Sequence, residues 1–398
     1  MNPSNEYLLT VNAGSSSIKL AVFATDDPLK KLFEAAVANI GQASASLVAD
    51  NQTKTIDAKD HAAAADVLLE WLAAQIPVEH VAAIGHRIVH GGPKYHESQF
   101  ATHEVLADLQ ELKAFDPRHL PVELALVTTF QHVLPDAKQV LCFDTAFHHD
   151  LPMHSRLLPI PRHFETKGIR RYGFHGLSYA YILEGLRRVE GEPAANGKVI
   201  IAHLGSGASL TALQNGKPID TTMSVTPASG VPMSTRAGDL DPGLALYFAQ
   251  TQGYDAERFN HMVNFESGLL GISETTADMK KLLEIEDNDE RAKDAVDIFC
   301  YQVKKSIGSF AAALSGLNTL VFTGGMGENA PKIRSRICEG LEFLGITIDD
   351  TRNQQGNRLI SADGSQVGVH VIHTDEATTI ARETARLISK TRGGHGSN

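Results

Sequence analysis

The chain has 398 residues, 42% of them hydrophobic and 21% charged, and its 36 basic against 47 acidic side chains give a net charge of −11. That length exceeds one typical core and suggests two domains, while the acidic balance excludes nonspecific attraction to nucleic acid or anionic membrane, so any anion site must be local. No apolar run approaches the roughly 20 residues that cross a bilayer, and MNPSNEY has neither the basic nor the apolar region of a signal peptide, so a cytoplasmic protein is expected.

In chain order, Leu8, Leu9 and Val11 suit a buried strand, Asn12 to Ser17 a reversal, and Ile18, Leu20, Val22 and Phe23 a returning strand. Such a turn is either an ordinary hairpin or a cradle of N–H groups and hydroxyls for a phosphate, with Lys19 adding a movable charge. Short alternating segments follow over 30–56. Then Asp60 is the acidic N-cap of an amphipathic helix, HAAAADVLLEWLAAQI. His80 to Gly92 reads as a buried strand that delivers Arg87 to its end, either as a structural ion pair or as a ligand group. His86, His90 and His96 lack carboxylate or thiol partners at helical spacing and read as polar loop histidines rather than a metal cluster. Cys142, Cys300 and Cys338 are widely spaced in apolar surroundings and read as core residues.

DPRHLP sets Arg118 and His119 in a stiff loop before the helix PVELALVTTFQHVL. AKQVLCFDTAFHHDLP is a strand ending at Asp144, either a turn cap or a carboxylate at the strand edge where α/β proteins bind ligands. The proline-rich stretch after Leu151 marks a domain crossing, and a helix starts near Ser178, after His175 between two glycines. KVIIAHLGSGASLTAL repeats the opening pattern of strand, Gly/Ser turn and strand, which suggests a duplicated fold with two phosphate turns. A glycine-rich polar loop carries Arg236, Asp278 lies near a helix start, and 287–316 is a long amphipathic helix. LNTLVFTGGMGENAPKIRSRI reads as strand, glycine loop and helix, with Asn329 as N-cap and Pro331 in the first turn. VGVHVIHTDEATTIARETARLISKT reads as a strand ending at Asp375 and Glu376, then a helix that closes back on the amino-terminal domain; the tail GGHGSN is expected to be disordered.

The motifs VNAGSSSIK, GHRIVHGG, CFDTAFH, RRYGFHG, HLGSGAS, TRAGDLDPG, FTGGMGEN and HTDEA closely resemble the acetate kinase family, collinearly from residue 7 to about 390. The resemblance implies an α/β protein of duplicated ribonuclease-H-like domains, the actin-like ATPase fold, with a nucleotide cleft between them. Residues 1–149 with 377–398 would form one domain and 150–376 the other. It further implies a homodimeric, reversible kinase that makes acetyl phosphate and ADP from acetate and ATP with Mg²⁺ or Mn²⁺. Asn12 and Glu376 would help to hold the metal, and Lys19 would meet phosphates. His203, Leu204, Gly205, Ser206, Gly207, Asp278, Met279, Lys280, Gly325, Met326, Gly327, Glu328 and Asn329 would surround ATP. Arg87 would bind the substrate carboxylate, with His119 retained beside it, and Val89, Phe174 and Pro227 would surround the acyl methyl group. Asp144 would be the active-site carboxylate, and His175 and Arg236 would stabilise the transition state. An ionised carboxylate has no proton to lose, so Asp144 is expected to orient an arginine or a metal-bound water rather than to act as a base.

The chain departs from the family at Ser206 for asparagine, Ser234 for glycine, Ser229 for an acidic residue, and PRHLP for PLHNP, which sets Arg118 at an apolar acyl-pocket position. Propionate or another short acid as acceptor, and pyrophosphate or phosphate as the phosphate source, are the alternative enzymatic readings. A nucleotide-gated scaffold without catalysis is the third, against which Arg87, His175 and Arg236 argue.

Overall fold

The computed structural model describes residues 6–393 except 15, 26–28, 51 and 118, so Arg118 and the tail beyond residue 393 lie outside the described residues. The chain divides into two compact units, Met1–Phe147 with Asp375–Asn398, and His148–Thr374. Both crossings fall two residues before the sequence-based boundaries, so Asp375 and Glu376 belong to the first unit.

In the first unit an eight-stranded sheet is built from β1 (Tyr7–Ala13), β2 (Ser17–Ala24), β3 (Lys30–Ala38), β4 (Ser46–Ala49), β5 (Gln52–Thr55), β6 (Val81–Ile88), β7 (Gln99–Phe100) and β8 (Lys138–Phe143). Its order is β5-β4-β3-β2-β1-β6-β8-β7; β1, β6 and β8 run parallel, and β1 to β3 form an antiparallel meander. The two-residue period of a strand sorts its side chains to two faces. Leu9, Val11, Leu20 and Val22 join a core with Leu68 and Leu72 of the helix His61–Gln75 and Phe130 of the helix Leu120–Val133. Leu8, Ala21 and Phe23 instead join Ala83 and Ala381, the latter from the helix Glu376–Gly393. That last helix lies so close to β6 that a Cβ on Gly85 would stand 2.2 Å from Thr384 Oγ1 and 2.6 Å from Ile380 Cγ2, so only glycine fits there. Asp60 caps the helix His61–Gln75, its carboxylate accepting from Ala63 N at 2.9 Å.

The second unit carries β9 (Lys198–Leu204), β10 (Ala208–Gln214), β11 (Lys217–Thr221), β12 (Thr319–Thr323) and β13 (Gly368–Val371) in the order β11-β10-β9-β12-β13. Here β9 to β11 form the antiparallel meander, and β9, β12 and β13 run parallel. This matches β3-β2-β1-β6-β8 strand for strand, which is the duplicated ribonuclease-H-like unit of the actin-like ATPase fold. Every residue of β12 is buried, as expected of a central strand covered on both faces. The helix Glu290–Ala313 buries Val296, Phe299, Val303, Ile307 and Phe310 along one stripe, each contributing about 1.5–3 kcal/mol.

Several local expectations are corrected. Asn12 is the sixth residue of β1, not part of the reversal, because it pairs across the ladder with Lys19. His86 lies within β6 and His90 in the loop after it, and both are buried rather than polar surface residues. His86 Nε2 lies 2.7 Å from Gln139 Oε1 and its ring meets Phe130 edge-on, and burial lowers its pKa to about 4. The segment Gly324–Asn329 is a short helix, not a loop, and the next helix, Pro331–Cys338, has Ala330 as its N-cap. Asn329 instead closes the short helix, its Nδ2 donating to Gly325 O at 3.0 Å. β13 ends at Val371, well before Asp375, whose carboxylate accepts from Thr378 N and Oγ1 within the first turn of the last helix. The three cysteines are unpaired and buried, as expected of core residues.

Candidate active site

In the first unit the β1–β2 turn closes with Gly14 N donating to Ser17 O at 2.8 Å, and Gly14 O lies 2.9 Å from His61 Nε2. Asn12 and Lys19 face each other across the ladder and so share one face of the sheet. Asn12 Nδ2 donates to Glu376 Oε2 at 2.6 Å, which brings together two residues 364 positions apart. Arg87 is the penultimate residue of β6, and its side chain is only 14% exposed. Its Nε and Nη2 donate to Asp144 Oδ2 at 3.2 and 2.6 Å, and its Nη1 donates to Glu123 Oε1 at 3.2 Å and to Ala13 O at 3.3 Å. Burial opposes the charge on Arg87, but Asp144, Glu123 and Glu376 outweigh it and raise its pKa, so the guanidinium is always charged. Glu123 Oε2 accepts from Val89 N at 2.8 Å, which ties the backbone at Val89 to the same carboxylate that holds Arg87. His119 is anchored beside this group, its Nδ1 lying 3.0 Å from both oxygens of the buried Asp116.

In the second unit His175 precedes the helix Gly176–Glu190 at φ 57°, a left-handed conformation uncommon outside glycine and found where a site over-determines the backbone. Its Nδ1 lies 2.8 Å from Ser209 Oγ, which is itself 2.5 Å from Tyr179 Oη. Its ring stacks on that of His203 at 4.3 Å between centroids, and His203 Nδ1 lies 2.9 Å from Ser178 Oγ. Arg236 Nη1 donates to Pro227 O at 2.6 Å. The β9–β10 turn is where these groups converge: a Cβ on Gly207 would stand 2.7 Å from Arg236 Nη2 and 3.3 Å from His175 Nε2. A guanidinium, an imidazole and a glycine turn therefore gather in one place, an arrangement suited to the oxygens of a phosphoryl group.

Gly207→Ala should push the Arg236 guanidinium out of place and shift the His175 ring slightly, while leaving β9 and β10 paired. A fall in kcat of about 10²-fold is expected with a nearly unchanged melting temperature. Steady-state kinetics with a thermal melt on the same sample checks this; an unchanged kcat would remove the convergence from the catalytic account.

The acetokinase family model matches residues 7–382. The chain belongs to the acetokinase family. It is 39% identical over 394 residues to the acetate kinase of Rhodopseudomonas palustris (strain TIE-1), covering 96% of this chain and 98% of that protein. It is also 39% identical over 390 residues to the propionate kinase of Citrobacter rodentium (strain ICC168), covering 96% of each. Among solved structures, a propionate kinase from Francisella tularensis subsp. tularensis SCHU S4 superposes with a TM-score of 0.90 at 34% identity, covering 96% of this chain and 99% of that one.

Within this member of the acetokinase family, the first unit brings together Asn12, Glu376, Arg87 and Asp144, with Val89 buried. The second gathers His175, His203, Gly207, Arg236 and Pro227, with Phe174 buried beside His175. Glu328 is engaged inside its own unit: Oε1 accepts from Gly324 N at 2.8 Å and Thr374 N at 3.1 Å, and Oε2 lies 2.5 Å from His373 Nδ1. Asp278 caps the helix Met279–Ile285, so its carboxylate accepts from Lys280 N, while Met279 is buried and Lys280 exposed. Gly325 and Asn329 are exposed and Gly327 is buried against β9, where Leu204 also lies buried. Ser206 is exposed, and its carbonyl accepts from Ser234 N at 3.2 Å, while Ser234 Oγ donates to Ala277 O at 3.1 Å.

Three participants were missed from sequence. Glu123 is the only charged residue in the helix Leu120–Val133, and an isolated acid in so apolar a stretch was the available signal. Arg334 is fully buried and donates from Nη1 to the carbonyls of Gly327 and Glu328, each at 2.9 Å, and so holds the end of the short glycine helix. Ser209 orients the His175 ring from within β10, and no local pattern marks it.

Proposed function

We propose that the protein catalyses reversible phosphoryl transfer between ATP and acetate, giving ADP and acetyl phosphate. The observation that carries this reading is Arg87 fixed by Asp144 at a strand edge in one half of a duplicated fold whose other half gathers His175 and Arg236 at Gly207. Arg87 holds the acceptor carboxylate, and Asp144 holds Arg87 through two hydrogen bonds, which is an orienting role and not that of a base. An acetate oxygen attacks the γ-phosphorus as the bond to the β-phosphate oxygen breaks, and the electron pair leaves with ADP. No proton moves, so the obstacle is repulsion between anions. Arg236 and the Nε2 of His175 relieve it by donating to the equatorial phosphoryl oxygens, with Ser209 on Nδ1 setting the ring.

Mg²⁺ is a hard cation that takes one or two protein oxygens and otherwise keeps water and phosphate. The paired side chains of Asn12 and Glu376 offer such oxygens and fit that demand, with Lys19 on the same sheet face. Bound there, the ion would neutralise phosphate charge. Homodimerisation and a cytoplasmic location are proposed on the family membership. Among the described residues no helix is long and apolar enough to cross a membrane.

Propionate is the second reading, because a propionate kinase matches at the same identity as an acetate kinase. The test is acyl phosphate trapped as hydroxamate with ATP and Mg²⁺ across formate, acetate, propionate and butyrate, with pyrophosphate run as an alternative to ATP. The strongest signal is expected from acetate with ATP. Product from no pair would overturn the kinase reading.

A further inference from the structure

Glu123 has no part in the transfer just described, yet it is 3% exposed and holds two parts of the acceptor site at once. One carboxylate oxygen accepts from Arg87 Nη1 and the other from the Val89 N–H. We propose that Glu123 is a positioning residue of the acceptor pocket that couples acid binding to a proton, carrying that proton whenever an acceptor carboxylate joins Asp144 on Arg87. The inference rests on Arg87 being the acceptor-binding group.

The surroundings of Arg87 hold more buried acid than base. Arg87 supplies one positive charge, while Asp144 and Glu123 together supply two negative ones when ionised, with Asp144 fully buried. The groups facing Glu123 are Arg87 from β6, Asp144 after β8 and Asp116 from the loop before its own helix. His119 pairs with Asp116, and Glu376 acts on Arg87 from the last helix. A bound acid would be a third anion on one guanidinium. Of the two carboxylates, Asp144 accepts twice from Arg87, Nε and Nη2 both reaching Oδ2, and Glu123 accepts once. Glu123 is therefore the one to be neutralised. Burial already pushes its carboxyl up to about 8, against the pull of Arg87 and the Val89 N–H. Protonated, Glu123 keeps one oxygen as acceptor for Val89 and leaves Arg87 to Asp144 and the incoming acid.

The sign follows. Above about pH 8 Glu123 ionises and competes for Arg87, so the acceptor binds more weakly as pH rises. The acids tested stay ionised throughout this range and contribute no such dependence. The experiment is KM for acetate, with KM for ATP alongside, from pH 6.5 to 9.5 in the wild type and in Glu123→Gln, whose amide preserves an acceptor for Val89 and cannot ionise. In the wild type the acetate KM should climb toward tenfold per pH unit above about 8, and in Glu123→Gln it should stay flat, with the ATP KM alike in both. A flat wild-type profile, or parallel rises in the two proteins, overturns the proposal. Should the variant not fold, calorimetric titration of the wild-type enzyme with acetate near pH 8.5, in two buffers of different ionisation heat, counts protons directly; uptake approaching one supports the proposal and zero overturns it. A wild-type protein that forms no acyl phosphate at any pH would instead sink the kinase reading itself.

Discussion

Arg87→Ala is expected to lower kcat/KM for the acceptor acid by about 10³-fold, and to destabilise the protein by about 3–5 kcal/mol. Both effects have one origin. The guanidinium makes four hydrogen bonds, to Asp144, Glu123 and Ala13, and is the cation against which two buried carboxylates are set. Removing it takes away the group proposed to receive the acid and leaves the buried Asp144 without its cation, and Glu123 likewise once it ionises. Denaturant melts at pH 6 and pH 9 separate the two consequences: the loss of stability should be larger at the higher pH, because Glu123, whose carboxyl is raised to about 8, then has to ionise without a partner. A wild-type kcat/KM in the variant, measured where it is fully folded although its melt is lowered, would show that Arg87 is structural and not part of the acceptor site.

Arg236→Ala should lower kcat by about 10³-fold or more while the acceptor KM stays within about threefold. Arg236 lies in a segment without helix or strand, and its position is set by backbone contacts: its own carbonyl accepts from Met233 N at 3.0 Å, and Ala237 N donates to Val263 O at 2.9 Å. Nη1 is spent on Pro227 O, while Nη2 approaches Gly207. A group arranged in this way serves charge that develops in the transition state more than binding of the ground state. Arg236→Lys should restore less than tenfold of the loss, since an ammonium supplies the charge without the planar fork. Equal losses in kcat and acceptor affinity for the alanine variant would place Arg236 in ground-state binding instead.

Much of the fold was legible because its signals are local. The strand–turn–strand patterns around Gly14 and Gly207 announced the duplication, and the matching strand orders of the two sheets bear it out. Asp60 and Asp278 read as helix starts because a short carboxylate satisfies the first N–H groups wherever the chain enters a helix. The same logic failed at Asn329. There the glycine segment winds into a helix of its own, closed at one end by Glu328 and at the other by Arg334. His86 and His90 failed for a related reason: periodicity says that a strand is buried but not that His86 within it finds Gln139 as partner, nor that His90 past its end accepts from Gly92 N in a buried loop.

The candidate site divides along the same line. Types of residue and their order along the chain were determined by the sequence: an arginine at one strand end, a carboxylate at another, a histidine between glycines, a glycine turn repeated. Which of them meet was decided only by tertiary structure, because Asn12 reaches Glu376, Arg87 reaches Glu123 and Asp144, and Arg236 and His175 reach Gly207 across separations that no local period encodes. The tertiary structure also raised the Glu123 carboxyl beside Arg87, the group proposed to receive the acid. A glutamate in solution is ionised at neutral pH, and only burial between the Val89 N–H and Arg87, with Asp116 and Asp144 nearby, raises its carboxyl far enough for a proton to take part in binding.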